Sequence, residues 1–445
     1  MYKTVKISKG LNINLKGDAD RLLQKVARSK IFAVKPTDFY GVTPKLVVKV
    51  GDQVKAGEVL FFHKKDDRIK ITAPVSGVIE EIVRGEKRKI LKILIKADAE
   101  DIYKDFNLVD VAQADKNQIL NQLLESGLFT YIKQRPYDII ANPDDMPKAI
   151  FISAYDSAPL RYDYDFALRK RLADFQTGIA ALKKVSEAKI YIITNGNSVS
   201  DFDKIKDVEV IKAFGPHPVG NPSIHIEKFE PLDKNTIVWV VNPISVALMG
   251  SFFKTGKYNT EKYVALSGSK VKKPHYVSIK PGADLSEIIK NNIEEDARLI
   301  SGNVLTGQNI TKDPFLNYFD HQITAIPSGK KPRFIGWLPF IGENRKSFYR
   351  FNLSPWRKVQ YDASLYGEER AFVMNEELES VMPLNIYPMH LLKAAMIGDV
   401  EKMEQLGIFE VAPEDFALLD YISSSKIDTQ ELIRKGLDEM KIQLG

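Results

Sequence analysis

Cysteine is absent from all 445 residues of the sequence. A chain without thiols forms no disulfide and offers no cysteine nucleophile. It also forms neither a thiolate zinc site nor a cysteine-ligated iron–sulfur cluster. The absence leaves the cellular compartment open, because both oxidising and reducing compartments contain proteins without cysteine. Apolar residues at 44% and charged residues at 27% are typical of a soluble globular protein, and the length suggests about two to four domains.

Long uncharged segments are also scarce. The longest covers residues 235–253 between Lys234 and Lys254, which is long enough to cross a bilayer. Asn242-Pro243 interrupts it after the β-prone run 236–241. We therefore expect a buried strand, a turn and a short helix instead of a transmembrane helix. The first residues contain no apolar segment, so we expect no signal peptide.

Common nucleotide-binding and catalytic motifs are missing as well. The sequence has no Gly-x-Gly-x-x-Gly fingerprint, no Walker A lysine motif, no His-Glu-x-x-His and no Gly-x-Ser-x-Gly. The stretch after the apolar run 149–153 reads AYDSAP and contains no glycine. We expect no standard phosphate cradle in this part of the chain.

Positive charge is concentrated near the beginning of the sequence. The chain has a net charge of +6, yet residues 1–96 carry 22 basic and 10 acidic side chains, which gives +12. Such a basic region, including the run 84–92, can face phosphates, anionic lipid or an acidic partner, or it can simply be solvated. No nucleic-acid partner is expected, since the region lacks aromatic-interleaved binding motifs and a helix–turn–helix pattern.

Residues 46–96 alternate short apolar runs with tight turns. The segments VGDQVKAG at 50–57 and APVSG at 73–77 resemble the barrel-sandwich hybrid of biotinyl and lipoyl carrier domains. A carrier attaches its prosthetic group to a lysine in a hairpin, and the corresponding lysines here are Lys64 and Lys65. Neither has the flanking residues typical of modified lysines, which favours a rigid β-module for docking over a carrier.

Residues 148–267 alternate apolar strands with helical segments. Strands are predicted at 149–153, 189–194, 208–211 and 236–241, and one helix is predicted over 164–185. Continuous apolar strands separated by helices indicate a mainly parallel sheet that is covered on both faces. We predict a Rossmann-like α/β layer.

The rest of the chain predicts a small β-grasp unit and then helices. A strand at 276–279, a helix at 285–292 and a return strand from Arg298 suggest the β-grasp. A proline in a first helical turn (Pro388) and a capping pattern at Asp428 indicate a bundle of about four helices. The predicted architecture is multidomain α/β and β, with these parts: 1–100, a basic N-terminal region with the barrel-sandwich hybrid; 101–267, the Rossmann-like domain; 268–330, the β-grasp (SLBB-like) unit; 331–375, a connector; and 376–445, the helical bundle.

This order of domains resembles a known family, the A subunits of the sodium-translocating NADH:quinone oxidoreductases. More distantly, it is similar to the C subunit of the Rnf complex and the flavin-binding subunit of complex I. The resemblance covers essentially the whole chain. It rests on seven ordered segments: ISKGL (7–11), KPTDF (35–39), APVSG (73–77), RGEKR (84–88), GPHPVG (215–220), SGNVLTG (301–307) and PEDFAL (413–418).

The chain departs from its flavin-binding relatives at two kinds of site. Where they hold FMN with a glycine-rich loop, the comparable stretch at 126–129 has one glycine. Where they hold an iron–sulfur cluster with cysteines, the comparable stretches at 381–384 and 409–413 have no thiol. The resemblance implies a peripheral subunit on the cytoplasmic face of a membrane complex that passes electrons from NADH to quinone and pumps sodium. It further implies other subunits as partners, no FMN or iron–sulfur cluster in this chain, and ubiquinone or menaquinone as an open possibility.

Four residues are candidates for contact with quinone. His217, in the loop after the strand at 208–211, can hydrogen-bond a quinone carbonyl, and Phe214 can pack on its ring. Trp239 and Asn242 lie on or just after a neighbouring strand. The alternative is a rigid proline-rich loop with a satisfied histidine and a tryptophan in the core. No catalytic residue is assigned to the chain.

Metal ligands and paired acids are weaker candidates. His217 and His225 lack a third ligand at a suitable spacing, so no metal site is expected. Asp156, Asp163 and Asp165 lie where a helix is predicted to begin, and capping explains them better than acid–base chemistry.

Overall fold

A computed structural model describes residues 2–329, 358–365, 367–373 and 376–444. Most of the predicted connector at 331–375, including its Gly336–Pro339 cluster, lies outside these residues. Within the described ranges, no helix combines the length and apolar character needed to cross a membrane.

Strands occur throughout the first three quarters of the described chain. In chain order they are β1 (Lys3–Lys6), β2 (Leu23–Gln24), β3 (Ile31–Val34), β4 (Pro44–Leu46), β5 (Gln53–Val54), β6 (Val59–His63), β7 (Asp66–Thr72), β8 (Gly77–Arg84), β9 (Ile90–Ala97), β10 (Ile132–Arg135), β11 (Ile139–Ile140), β12 (Ala149–Ser153), β13 (Lys189–Asn195), β14 (Glu209–Phe214), β15 (Val238–Val241), β16 (Lys262–Ser267), β17 (His275–Ile279), β18 (Ala297–Ser301), β19 (Gln308–Asn309) and β20 (Gln322–Pro327).

Helices cover the faces of the sheets and make up most of the C-terminal region. They are α1 (Lys116–Ser126), α2 (Tyr164–Leu168), α3 (Leu172–Val185), α4 (Pro222–Phe229), α5 (Pro243–Thr255), α6 (Ser286–Asn292), α7 (Glu377–Val381), α8 (Pro388–Ile397), α9 (Val400–Gln405), α10 (Ala417–Ile422) and α11 (Thr429–Leu444).

The α/β domain is built on a sheet of order β1-β14-β13-β12-β15-β10-β11. Strands β1, β14, β13, β12 and β15 are parallel, and β10 and β11 are antiparallel to their neighbours. The chain moves outward from β12 through β13 to β14 and then returns to β15 on the other side of β12. This is the Rossmann-like order, as the apolar strands predicted.

The predicted continuous helix at 164–185 is wrong. The structure divides it into α2 and α3 at Arg171, whose backbone leaves the helical conformation with φ −121° and ψ 15°. The guanidinium of Arg171 donates to the carbonyl of Glu261 at 3.2 Å. Periodicity along the sequence cannot reveal this distant contact.

Two small sheets form the barrel-sandwich hybrid, in the orders β3-β9-β8-β5 and β4-β6-β7. Their facing side chains form an apolar core, to which alternate residues of β9 contribute, and the register shift after Val59 buries two consecutive residues of β6. The fully buried members include Leu60, Phe61, Ile79, Ile93 and Ile95.

The SLBB-type unit has its own sheet, of order β19-β18-β20-β16-β17-β2. Strand β16 pairs with β17 and β20 in this sheet, although the sequence placed residues 262–267 in the α/β domain. An apolar run of this length can form a strand in either sheet, so its domain is decided by the strands with which it pairs. The predicted α-helix and its flanking strands lie close to the expected positions, as α6, β17 and β18.

The first 34 residues belong to more than the barrel-sandwich hybrid. Strand β1 pairs with β14 in the α/β sheet, and β2 pairs with β17 in the SLBB-type sheet. Between them, Gly10 packs so closely that a Cβ atom would lie 2.2 Å from the carbonyl oxygen of His217. The N-terminal segment therefore joins three domains that the sequence assigned separately.

The C-terminal region contains five described α-helices, one more than predicted. Asp428 caps α11 as expected, because its Oδ1 accepts from the backbone N–H of Glu431 at 2.8 Å. Leu391 and Leu419 belong to the same buried cluster as Phe151 and Tyr191 of the α/β sheet. The helices thus pack on one face of that sheet and share its core.

Candidate functional site at the carboxyl edge of the sheet

The reversal of strand order between β12 and β15 marks the place where an open α/β sheet ordinarily binds ligands. At this switch point, the carboxyl end of β12 leads into the loop 154–163, and β15 leads through Asn242 into α5. Phosphates commonly bind here because the first N–H groups of a helix are unpaired. The polar groups at this edge of the sheet therefore determine which ligands can bind there.

Side chains of the protein occupy the switch point. Asn242 Oδ1 accepts from the backbone N–H of Ile244 at 2.9 Å, and Asn242 Nδ2 donates to the Tyr164 hydroxyl at 2.9 Å. The same hydroxyl lies 3.2 Å from His321 Nε2, and the ring of Tyr162 lies 4.4 Å from the His321 ring. Since Pro243 has no N–H, the start of α5 has few free donors left for an anion.

The His321 ring is neutral in this setting. Burial, together with the positive charge of Lys262, lowers its pKa to about 3. A neutral imidazole accepts a hydrogen bond from the Tyr164 hydroxyl without bringing a charge into the core. The switch point is thus an uncharged, hydrogen-bonded cluster, which we call the tyrosine–histidine plug (Tyr162, Tyr164, Asn242 and His321).

His217 is held in a second cluster at the same edge of the sheet. Its ring is 5% exposed, and its Nδ1 lies 3.0 Å from the Ser157 hydroxyl. That hydroxyl oxygen accepts from the backbone N–H of Gly220 at 2.9 Å, while the backbone N–H of His217 donates to Asn12 Oδ1 at 2.9 Å. Burial lowers the pKa of His217 to about 4. The ring is therefore a neutral, hydrogen-bonded link between two loops.

Phe214 ends β14 and packs on the neighbouring strand connection. A Cβ atom on Gly196 would lie 2.3 Å from its ring, so the ring rests directly on that glycine. Strands β13 and β12 separate β14 from β15, a distance of about 14 Å at ordinary strand spacing. Phe214 and Trp239 are therefore too far apart to hold one quinone ring between them.

Trp239 lies in the core beneath the sheet edge. It is 1% exposed, and its ring meets Phe129 edge-on at a centroid distance of 6.0 Å. Its indole Nε1 has no acceptor among the described residues. The four sequence candidates thus occupy separate environments: Asn242 in the plug, His217 against Ser157, and Phe214 and Trp239 in two different packing contacts.

The remaining polar candidates have structural partners. His225 Nε2 lies 2.8 Å from the carbonyl oxygen of Val219. Asp163 caps α2 through the N–H of Phe166, Asp156 accepts from the backbone of Ala158, and Asp165 accepts from the Ser200 hydroxyl. In the described parts of the chain, no group of three or more His, Asp or Glu side chains is arranged to hold a metal ion.

A buried arginine on β10, level with the first residue of β15, was not found from the sequence. Arg135, at the end of β10, is 3% exposed, and its Nη2 lies 3.1 Å from Glu414 Oε1. Its Nε lies 3.5 Å from Asp138 Oδ1. Burial opposes the ionisation of Asp138, but Arg135 and Lys133 hold its pKa at about 2. Because 279 residues separate Arg135 from Glu414, no local pattern indicates the pair.

Comparisons with known proteins identify the family. Three family models match, described as the NqrA N-terminal barrel-sandwich hybrid domain over residues 5–98, the NqrA second alpha/beta domain over 114–258, and the NQRA C-terminal domain over 263–312. The A subunit of the Na(+)-translocating NADH-quinone reductase of Saccharophagus degradans is 32% identical over 98% of this chain and 99% of its own. The chain belongs to the NqrA family, the A subunits of Na(+)-translocating NADH-quinone reductases.

Other NqrA proteins match over a similar extent. The A subunit of the Neisseria meningitidis serogroup A reductase is also 32% identical and covers 98% of this chain and 99% of its own. Among solved structures, an NAD+-reducing [NiFe]-hydrogenase in the air-oxidized state aligns with 50% of this chain and 48% of its own, at 14% identity and a TM-score of 0.36. That likeness is too low to support an argument.

The stretch comparable to an FMN loop packs against the barrel-sandwich hybrid in this member of the NqrA family. The Thr72 hydroxyl donates to the carbonyl of Ser126 at 3.0 Å. A Cβ atom on Gly127 would lie 2.7 Å from the same hydroxyl. The backbone that would face a phosphate in a flavin site therefore faces β7.

The stretches comparable to cluster-binding segments are apolar and buried. Val381, Met382, Leu384, Phe409 and Val411 all belong to the core that the C-terminal helices share with the α/β sheet. Lys64 and Lys65, the positions of the carrier hairpin, form the exposed two-residue connection between β6 and β7. The predicted location of that hairpin is correct, and its modification remains untested.

Proposed function

We propose that this chain is a docking subunit of a sodium-translocating NADH:quinone reductase and holds no redox centre of its own. The observation that supports this most is the tyrosine–histidine plug. It fills the switch point where an α/β sheet ordinarily binds a nucleotide or flavin, and Asn242 uses the N–H of Ile244 that would otherwise meet a phosphate. Electron input, the flavins and the sodium path belong to other subunits in this proposal.

The composition of the other candidate redox positions supports the same proposal. The sequence has no cysteine at all, and apolar side chains fill the volume at 381–384 and 409–411. An iron–sulfur cluster needs several thiolates or imidazoles facing one cavity. These segments provide a packed hydrocarbon core in its place.

Family membership supports a proposal for the partners and the location. Relatives are named as subunits of a reductase that translocates sodium, and translocation requires a membrane. We propose that this chain binds the other subunits of such a complex peripherally, on the cytoplasmic face of the membrane.

Purification of the whole complex, and of the chain alone, tests the docking role. The isolated chain should show neither flavin absorbance near 450 nm nor non-haem iron, and a tagged chain should retain the other subunits. Deleting the chain should reduce the recovery of the remaining subunits as one complex. Stoichiometric flavin in the isolated chain would contradict the proposal.

Quinone binding is the second candidate function. The observation that favours it is the buried indole Nε1 of Trp239, which has no acceptor among the described residues and could donate to a quinone oxygen after a local rearrangement. Phe214, His217, Trp239 and Asn242 lie in separate environments, so one quinone ring could contact only some of these four candidates.

A titration with a short-chain ubiquinone analogue tests the second candidate. Saturable quenching of tryptophan fluorescence at one equivalent, weakened in His217→Ala, would support it. The matched control is His390→Ala, because His390 is exposed in the C-terminal helices. Absence of saturable binding up to the solubility limit would rule it out for the isolated chain.

A further inference from the structure

The β8–β9 hairpin carries a cluster of cations that the proposed docking role has not used. We propose that the tip of this hairpin, residues 84–91, binds the anionic phospholipid surface of the membrane. This extends the proposed function, because it rests on the chain being part of a membrane complex. The tip is defined by its cations Arg84, Lys87, Arg88 and Lys89, its acid Glu86, and its apolar residue Leu91.

The cations of the tip face solvent without acidic partners. Arg84, Lys87, Arg88 and Lys89 are all exposed, and Glu86 is the one acid among residues 84–91, which gives the tip a net charge of +3. Arg84 Nη1 donates to the backbone carbonyl of Arg88 at 3.1 Å, a contact that does not neutralise its charge. None of the four forms an ion pair with another described residue.

Several other cations in the basic first part of the chain have acidic partners. Lys3 pairs with Glu209, Arg28 with Asp101, Arg68 with Asp66 and Asp144, and Lys70 with Glu125. These charges are balanced within the chain, so they cannot contribute fully to attraction at a distance. The four cations of the tip lie close together without acidic partners, so part of the excess positive charge of the first 96 residues is clustered there.

An apolar side chain lies among these cations. Leu91 is 42% exposed, and its methyl groups cover Gly85, where a Cβ atom would lie 3.2 Å away. Basic residues around a partly exposed leucine are typical of surfaces that bind lipid. The cations contact the headgroups, and the apolar side chain reaches the boundary with the acyl chains. A patch for an acidic protein segment needs no such leucine.

The structure holds the tip in one orientation. The turn is closed by the N–H of Gly85, which donates to the carbonyl of Lys89 at 2.8 Å, and by the N–H of Lys89, which donates to the carbonyl of Glu86 at 3.0 Å. Lys87 and Arg88 both have positive φ, at 51° and 61°, a conformation that non-glycine residues rarely adopt. The four cations are therefore displayed on an ordered turn.

The base of the hairpin is fixed to the SLBB-type unit. Lys92 Nζ pairs with Asp313 and lies 5.0 Å from the centre of the Phe315 ring, and Lys35 Nζ lies 3.7 Å from the same carboxylate. Asp313 thus connects two barrel-sandwich lysines to the neighbouring domain. Because the base is anchored, contact at the tip would fix the orientation of both domains relative to a membrane.

Vesicle co-sedimentation with the full chain tests this proposal. We expect binding to vesicles that contain phosphatidylglycerol, little binding to phosphatidylcholine vesicles, and release as salt is raised, because exposed charges are screened. The triple variant Lys87→Glu/Arg88→Glu/Lys89→Glu should weaken binding to anionic vesicles at least tenfold. Leu91→Ser should weaken it by less.

The matched control is Lys272→Glu/Lys273→Glu/Lys290→Glu, which reverses three exposed lysines of the SLBB-type unit. Its affinity for anionic vesicles should fall by less than half as much as that of the tip variant. If the charge-reversed tip variant fails to fold, as judged by circular dichroism, Lys87→Gln/Arg88→Gln/Lys89→Gln replaces it.

Equal binding to both lipids, or unchanged binding by the tip variants, would overturn the proposal. If the tip variants instead bind vesicles normally but no longer retain the other subunits, the tip binds an acidic protein surface. Flavin in the isolated chain would overturn the docking proposal without altering vesicle binding, so the two failures are distinguishable.

Discussion

The carboxyl edge of the α/β sheet and the tip of the β8–β9 hairpin both carry dense polar groups, yet they use them in opposite ways. At the sheet edge, Asn242, Tyr164 and His217 form their hydrogen bonds with other parts of the chain. At the hairpin tip, Lys87 and Arg88 point their charges into solvent. The polar groups at the position where such a fold ordinarily binds a ligand are bonded within the chain, whereas those of the hairpin tip face solvent.

Burial explains the difference. A buried polar atom without a partner costs about 1–3 kcal/mol, so the sheet edge is stable only if its groups satisfy each other. An exposed cation remains hydrated and costs little when it is unpaired. Substitutions in the two regions should therefore have very different effects on stability.

The largest expected effect is at Arg135. Arg135→Ala should lower the free energy of unfolding by about 3–5 kcal/mol, because it leaves the Asp138 and Glu414 carboxylates without their buried counter-charge. Lys87→Ala at the hairpin tip should change it by less than about 0.5 kcal/mol. Urea unfolding followed by circular dichroism measures the free energy of unfolding of both variants. Equal losses would remove the contrast between buried and exposed charges.

A pH dependence should come next in size. Burial lowers the pKa of His217 from its ordinary value of 6.5 to about 4, so the folded state resists protonation that the unfolded state accepts. The stability associated with the neutral ring is present above pH 6.5 and is lost as the pH falls toward 4, by about 3 kcal/mol.

His217→Gln removes this titrating ring while keeping a polar side chain beside Ser157. The free energy of unfolding measured at pH 7 and pH 4.5 should fall less in this variant than in the unmodified chain. An identical fall in both proteins would show that the His217 ring is not held neutral by burial.

A smaller effect than that of Arg135 or His217 is expected at the plug. Asn242→Ala removes the cap of α5 and the donor to Tyr164, and should cost about 1–2 kcal/mol. Asn242→Asp keeps the capping acceptor, and the Tyr164 hydroxyl can rotate to donate to it, so this variant should lose less. Thermal unfolding compares the two, and a larger loss in the aspartate variant would contradict the assigned hydrogen bonds.

Local patterns in the sequence predicted the parts of the fold that depend on local chemistry. The apolar runs located β12 and β13, and Asp428 predicted the start of α11. In each case the deciding residues lie within a few positions of one another, so hydrophobic period or capping chemistry is sufficient.

Long-range pairing accounts for the features that the sequence missed. Nothing near Lys3 indicates that β1 joins the edge of a sheet more than 200 residues later, and nothing near Arg135 indicates Glu414. At the break before α3, Arg171 contacts the distant Glu261. For the candidate site, sequence reasoning found His217 and Asn242 but could not tell that Ser157, Tyr164 and His321 already satisfy them.

The pairing of β1 with β14 has a consequence for biosynthesis. Lys3–Lys6 is synthesised about 200 residues before its partner Glu209–Phe214, an interval on the order of ten seconds or more at ordinary elongation rates. During that time the edge strand is exposed and available to chaperones or to a neighbouring nascent chain. The α/β domain can therefore close only after most of it has been synthesised, although the barrel-sandwich hybrid can form earlier.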